Sequence, residues 1–383
     1  MLAGHGGEAV TWLSDSLDRW ETASAFAPAV LPQIQTFVAA HAIDADFEAV
    51  WTPSLASRRA REIDDAAGET PPTGWTRTFP HPLRANSPEP DAAYRVRWER
   101  SPFADAYLGA LAADLVRSFR LGQHDATDVL AVSFSSPDLV GHAFGPRSLE
   151  VREMFAQLDR TMGALLDRLD AQVGRGNYVI GLTADHGVTP IPAQLQSEGL
   201  DAGRLDAAAF SAVIENQANT LAGAGKYVAR VNTNDIYFAP GMYARLTGSP
   251  AAAAGVIKAL TAIPGIGRVF RREDLSAGAS SSDGPLRAAA LSYFASRSGD
   301  LVIAPKPGWM FSAVGTTHGS ANADDQRVPV LLFGRGIRKG EFRQAASPAD
   351  IAPTLAALTG VALPQAEGRI LREALQEPSR QSQ

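Results

Sequence analysis

Between residues 128 and 183 the hydrophobic pattern changes period twice, and this double change constrains the architecture more than any other feature of the chain. The run Asp128-Val129-Leu130-Ala131-Val132-Ser133-Phe134 is short and mostly apolar, the pattern of a strand buried on both faces. After Ser148, apolar residues fall at Val151, Phe155, Leu158, Met162, Leu165, Leu166 and Leu169. These steps, mostly of three and four, paint one stripe along a helix that Ser148 caps. Gly174-Arg175-Gly176-Asn177 breaks the helix, and Tyr178-Val179-Ile180-Gly181-Leu182-Thr183 reads as a second strand. Strand, helix and strand in this order form a βαβ unit, so the expected class is α/β with a parallel sheet.

Open α/β sheets collect their ligands beyond the carboxyl ends of the strands. Each of these two strands is followed at once by an acid and an imidazole. Ser136-Pro137-Asp138-Leu139-Val140-Gly141-His142 follows the first, and Ala184-Asp185-His186-Gly187 the second. A third motif, Thr316-Thr317-His318-Gly319, precedes the apolar run Val328-Pro329-Val330-Leu331-Leu332-Phe333. If residues 136–142 turn helically, Asp138 and His142 share a face and can chelate one ion. In a tight turn Asp185 and His186 can serve one metal or bridge two. Taken singly, each motif has a plainer reading: a solvated aspartate, a core histidine, a surface histidine. Together they place two aspartates and three histidines at strand ends. Oxygen and imidazole donors of this kind suit zinc, and a pair of zinc ions about 4 Å apart supports phosphoryl transfer.

Other residues near the motifs have lesser expectations. Thr183, Thr316 and Thr317 are the nearest hydroxyls and read as loop structure. Thr317, Ser320, Asp324 or Asp325 could orient a ligand, because zinc-bound histidines usually donate their second nitrogen to an acceptor. His41 and His124 read as structural or exposed, and His5 and His81 receive no assignment.

Elsewhere the pattern is weaker. The first hundred residues hold Trp12, Trp20, Trp51, Trp75 and Trp98, five of the six tryptophans, and residues 190–310 separate the second motif from the third. That second region carries strand-like runs at 226–231 and 235–238, a helix-like run at 251–262, and a glycine- and serine-rich loop at 277–284. Ser347-Pro348-Ala349-Asp350 reads as a capping box with proline at the first helical position. Pro353 then requires a kink or a helix start nearer Asp350, and Gly360 ends the element. The chain has no cysteine and a net charge of −6 without a basic run, so disulfides and thiolate ligands are excluded and nucleic-acid binding has no support. No apolar run approaches the roughly 18–20 residues that a membrane span needs. Met1-Leu2-Ala3-Gly4-His5-Gly6-Gly7-Glu8 has neither a basic nor an apolar signal region.

The succession Asp-x-x-x-His, Asp-His-Gly and Thr-His-Gly resembles the alkaline phosphatase superfamily, which includes type I phosphodiesterases/nucleotide pyrophosphatases. More narrowly it is similar to bacterial alkaline phosphatases with a threonine nucleophile. The likeness extends through residues 127–146, Gly315-Thr316-Thr317-His318-Gly319-Ser320, Val328-Pro329, Asp350-Ile351-Ala352-Pro353-Thr354-Leu355 and Glu367-Gly368-Arg369. Ala3-Gly4-His5 leading to Trp12 is also family-like, so the resemblance covers essentially the whole chain.

It implies a single domain over residues 1–383, a three-layer α/β/α sandwich with a mostly parallel central sheet. Accessory segments are then expected at about 12–102 and 190–310. It further implies that Asp138, His142 and His318 hold a first zinc, that Asp185 and His186 belong to a second, and that the substrates are small phosphate esters. For the full-length protein it implies a periplasmic or secreted location. In the family the second zinc takes another aspartate, the nucleophilic threonine follows, and an asparagine and a Lys-x-Arg pair grip the phosphate. None of these positions has a counterpart here. The resemblance therefore implies that Met1 is an internal methionine and that the nucleophile lies upstream of it.

The expected function is a zinc-dependent phosphohydrolase, first a phosphomonoesterase, whose two-metal site is incomplete in this chain. The alternatives are a phosphodiesterase or nucleotide pyrophosphatase, a more remote sulfatase-like or mutase-like relative, and a non-catalytic metal-binding remnant.

Overall fold

The computed structural model describes residues 7–14, 16–54 and 64–376; the Ala3-Gly4-His5 segment, and with it His5, lies outside the described residues. Ser148 caps the predicted long helix, Leu149–Leu169, by accepting the Val151 amide at 3.2 Å. The helix runs out through a wide turn, Asp170–Gly174, and the chain reverses at Gly174 and Gly176, both at positive φ. The strand Val179–Thr183 follows. Its partner is Val330–Gly334, in an antiparallel ladder from Val330 opposite Thr183 to Gly334 opposite Val179. The capping box at Ser347 forms as a short 3-10 turn, Pro348–Asp350, and the α-helix Ile351–Leu358 begins after it. Pro353 then falls in the first turn, where an amide has no intrahelical acceptor, so the helix accommodates it without a kink.

The class is α/β, but one local expectation is corrected. Residues 128–134 run without regular secondary structure and join no ladder, and Val129 is 85% exposed. The βαβ reading required this run to lie beside Val179–Thr183 as a hydrogen-bonded parallel neighbour. Among the described residues no strand pairs with it, and Val179–Thr183 is hydrogen-bonded along one edge only. An apolar run records that a segment suits burial between neighbours; it does not supply the neighbours. The one parallel ladder among the described residues is the two-residue pairing of Trp309–Met310 with Gly203–Arg204.

Two buried cores carry most of the packing. One gathers Phe47, Trp51, Trp75, Tyr94, Trp98, Phe144 and Met154. Two of its indoles find partners: Trp98 Nε1 donates to Asp46 at 2.9 Å and Trp75 Nε1 to Pro82 O at 2.7 Å. His81 is fully buried inside it, stacked on Trp75 with ring centroids 4.6 Å apart, its Nε2 3.0 Å from Glu150. The other core belongs to residues 205–303. There an antiparallel sheet in the order Val228–Asn232, Asp235–Phe238, Leu301–Pro305, Ile266–Arg271 packs against the helices Ala207–Ala222 and Pro250–Thr261. The loop expected at 277–284 contains a 3-10 turn, Gly278–Ser280.

By contrast, no residue from 155 to 188 or from 326 to 349 is buried. Leu331 and Phe333 each remain 55% exposed on one face of their strand. On the other face Gly181 lies so close to Ile351 that an added Cβ would approach its Cγ2 to 2.5 Å.

The aromatic core carries a pH dependence. Burial pushes Glu69 and Glu150 up to about 8 from 4.5, and pushes His81 down to about 4 from 6.5. For the two acids the folded value lies above the unfolded one. Their contribution is therefore complete below about pH 4.5 and is lost as pH rises through 8, by at most about 1.4 kcal/mol per pH unit per proton. His81 acts in the opposite sense, its contribution being complete above 6.5 and lost as pH falls through 4. Urea melts should show stability declining between about pH 4.5 and pH 8, and Glu69→Gln should flatten that decline. Parallel pH profiles for the two proteins would refute the assignment.

Candidate metal centre

The first motif folds as the helix Ser136–Phe144, with Pro137 in its first turn and Gly145, at positive φ, closing it. Helical spacing puts His142 one turn beyond Asp138, and His142 Nε2 lies 3.4 Å from Asp138 Oδ2. The second motif leaves the strand Val179–Thr183 in a loop that swings His186 across, so that its Nε2 sits 3.9 Å from Asp138 Oδ1. The third brings His318 Nε2 to 3.6 Å from the same oxygen. Ligand atoms of Asp138, His186 and His318 all lie within 4.8 Å of one another. The His186 and His318 rings stack with centroids 3.4 Å apart, and the His142 ring is 5.0 Å from that of His318.

Two glycines allow this approach. A Cβ on Gly187 would stand 2.1 Å from Asp324 O, and one on Gly315 would stand 2.2 Å from His142 O. Any side chain at either position would push the loops apart.

Four of the five predicted residues thus gather at Asp138: His186 and His318 at its Oδ1, and His142 at its Oδ2. Asp185 is at the rim. Its side chain is 87% exposed, one oxygen accepting the His186 amide at 3.1 Å and the other 3.5 Å from His186 Nε2. The remaining described histidines lie outside the cluster: His41 stacks on Phe37 and His124 pairs with Asp128. Sequence reasoning missed the backbone partners of the rings. His142 Nδ1 donates to Thr316 O at 2.8 Å, and His186 Nδ1 to Gly187 O at 2.9 Å. Thr316 is 174 residues from His142, so no local pattern could reveal that bond. Among the described residues the expected partner for His318 is not found, for Ser320 and Asp325 bond to each other instead.

These bonds fix the chemistry of the centre. With the proton on Nδ1, as the carbonyl partners of His142 and His186 require of a neutral ring, Nε2 offers a lone pair. Lone pairs then face a carboxylate at 3.4–3.9 Å with no donor between them. A shared proton or a cation resolves such an arrangement, and a divalent cation resolves it for all the rings at once. The titration directions are those of the shared proton, held between Asp138 and His142. Burial pushes Asp138 up, but the hydrogen bond to His142 and the nearby imidazoles outweigh it and hold the carboxyl below its ordinary value. The bond to Asp138 raises His142, whereas burial, and then the neighbouring His186, lower His318.

The model of the type I phosphodiesterase / nucleotide pyrophosphatase family matches residues 12–321. The chain belongs to this family, within the alkaline phosphatase superfamily. Among its relatives, alkaline phosphatase PafA of Elizabethkingia meningoseptica is 30% identical over 309 residues, covering 78% of this chain and 55% of that protein. Alkaline phosphatase PhoK of a Sphingomonas species is 33% identical over 289 residues, covering 71% and 51%. The crystal structure of wild-type PafA matches with a TM-score of 0.83 at 26% identity, over 97% of this chain and 72% of that one. The fold is therefore that of PafA over the described residues, and the chain spans about half the length of the curated relatives it matches.

Substitution of the ligands should follow the geometry. His142→Ala and His318→Ala should each weaken zinc binding by more than about 100-fold, beyond the usual effect of an outer partner. Inductively coupled plasma mass spectrometry after gel filtration would measure this. Unchanged zinc content in both variants would remove these residues from the centre.

Proposed function

We propose that this chain carries the metal centre of a zinc-dependent phosphohydrolase acting on small phosphate esters, monoesters first, through a two-metal site that is incomplete in this chain. The observation that carries the reading is the convergence of Asp138 with the Nε2 atoms of His142, His186 and His318. Zinc suits this donor set: calcium and magnesium prefer oxygen ligands throughout, and soft monovalent copper prefers the sulfur ligands this centre lacks. A zinc ion held by these residues would supply polarisation of a phosphoryl oxygen and a lowered pKa for a coordinated hydroxyl or water. The division into Asp138, His142 and His318 for one metal and Asp185 with His186 for the other is part of the proposal, as is export of the whole protein.

The chain's own residues prepare the site rather than attack. Thr316 O holds the His142 ring with its Nε2 toward the centre. The hydroxyls nearest in sequence are engaged elsewhere: Thr183 Oγ1 donates to Pro329 O at 2.7 Å, and Thr316 Oγ1 to Thr189 O. Two protein ligands for the second metal are also fewer than zinc ordinarily takes. A second reading, a non-catalytic metal-binding remnant, is favoured by the unpaired run at 128–134 and the exposed face of Leu331 and Phe333.

Zinc-replete hydrolysis of p-nitrophenyl phosphate, with bis-p-nitrophenyl phosphate in parallel, separates these readings. Zinc bound without turnover of either ester supports an incomplete site. Turnover abolished by His142→Ala places the attacking hydroxyl or water within this chain, and Thr317→Ala then tests the remaining loop hydroxyl. A diester rate above the monoester rate selects the phosphodiesterase alternative. Turnover indifferent to both His142→Ala and His318→Ala rejects the proposal.

A further inference from the structure

Asp325 is a carboxylate on a four-residue helical turn, Ala323–Gln326, and it is 4% exposed. It touches no ligand of the centre, yet its oxygens accept from both ligand loops. Oδ1 accepts Thr189 Oγ1 at 2.8 Å, three residues beyond His186. Oδ2 accepts the Ser320 amide at 2.9 Å and the Ser320 hydroxyl at 2.6 Å, two residues beyond His318. Its carbonyl oxygen accepts the Gly187 amide at 2.7 Å. The connection continues to the ligand helix. Thr189 O accepts from Thr316 Oγ1, the Thr316 amide donates to His142 O at 3.0 Å, and His142 Nδ1 donates to Thr316 O. One buried acid thus joins the loops of His186 and His318 directly and reaches His142 through two threonines.

We infer that Asp325 is a positioning residue for the metal centre: it sets the spacing of the His186 and His318 loops so that their Nε2 atoms stay within reach of one cation. This rests on the metal-centre reading above. The physical reason is specific. A buried carboxylate with three donors and, among the described residues, no ion-pair partner forms charge-assisted bonds, which are stronger and geometrically tighter than bonds between neutral groups. Asparagine preserves the volume but removes the charge and one acceptor: its NH2 faces either the Ser320 amide, donor against donor, or Thr189, whose hydroxyl must then turn and accept. Either arrangement weakens a tie between the ligand loops, and loosening at Ser320 moves His318.

The test is zinc affinity of the 383-residue chain, measured by chelator competition well below the melting temperature. The visible spectrum of bound cobalt provides a second reading of ligand geometry. Asp325→Asn should weaken zinc about 10–100-fold, the usual effect of losing a partner behind the ligands, and should alter the cobalt bands. Thr189→Val, which removes one donor and leaves the backbone circuit, should weaken zinc in the same direction but less. The two together should cost no more than Asp325→Asn alone, because they break one connection. Unchanged zinc affinity in both single variants, alongside a lower melting temperature, would reduce Asp325 to a fold-holding acid and overturn the inference. If Asp325→Asn does not fold, Thr189→Val decides. If the wild-type chain binds no zinc, or binds it equally after His318→Ala, the metal reading fails, and this inference fails with it.

Discussion

The centre depends on one electrostatic constraint: Asp138 faces three imidazole rings, and at least two of those rings have their protons committed to backbone carbonyls on the far side. A cluster of acceptors is unfavourable in itself, so something must hold it together without a counter-ion. Here the force comes from the chain. Glycines at 187 and 315 permit backbone contacts that no other residue would allow, and hydrogen bonds across more than a hundred residues of sequence fasten the loops. The cluster is preformed, with the cost of bringing its ligands together already met during folding. Cation binding then needs little further ordering, which favours tight binding.

That preformation requires rigid supports, and their distribution is uneven. The ligand helix Ser136–Phe144 is anchored through Val140 and Phe144 in the aromatic core, against Trp75 and the buried His81. The His318 loop is reached from the other side, through Arg204, whose guanidinium donates to Ser312 O and Gly315 O at 2.7 and 2.8 Å. His186 has the thinnest support, because it leaves a strand whose residues are all only partly covered and whose second edge has no partner among the described residues. The tie to Asp325 is what compensates for that. Asp185, next to it and lacking such a tie, points to solvent.

The sequence carried the local geometry well and the long-range geometry poorly, for identifiable reasons. Spacing alone placed Asp138 and His142 on one helical face, and the stripe from Val151 to Leu169 with the cap at Ser148 predicted that helix. Both follow from the 3.6-residue repeat, which is written in consecutive residues. Convergence of His186 and His318 on Asp138 was inferred from chemical type and strand-end position, and from family resemblance. Nothing periodic connects residues 138, 186 and 318. His81 could not be assigned because its burial depends on Trp51, Trp75 and Phe144 packing around it. The run at 128–134 misled in an instructive way. Its composition suits burial between two neighbours, and no local signal states whether those neighbours lie within the same stretch of chain.

The exposed layer and the preformed centre bear on one another. An apolar run with an unpaired backbone is the least favourable condition for a strand, since neither its polar groups nor its side chains are satisfied by the protein. Yet the ligands that follow it are held in place, because the helix Ser136–Phe144 takes its position from the aromatic core rather than from the run before it. Cover for the layer and position for the centre are thus supplied by different contacts. Metal affinity should accordingly be a property of the three motifs and their ties, and turnover a property of whatever group is presented to them.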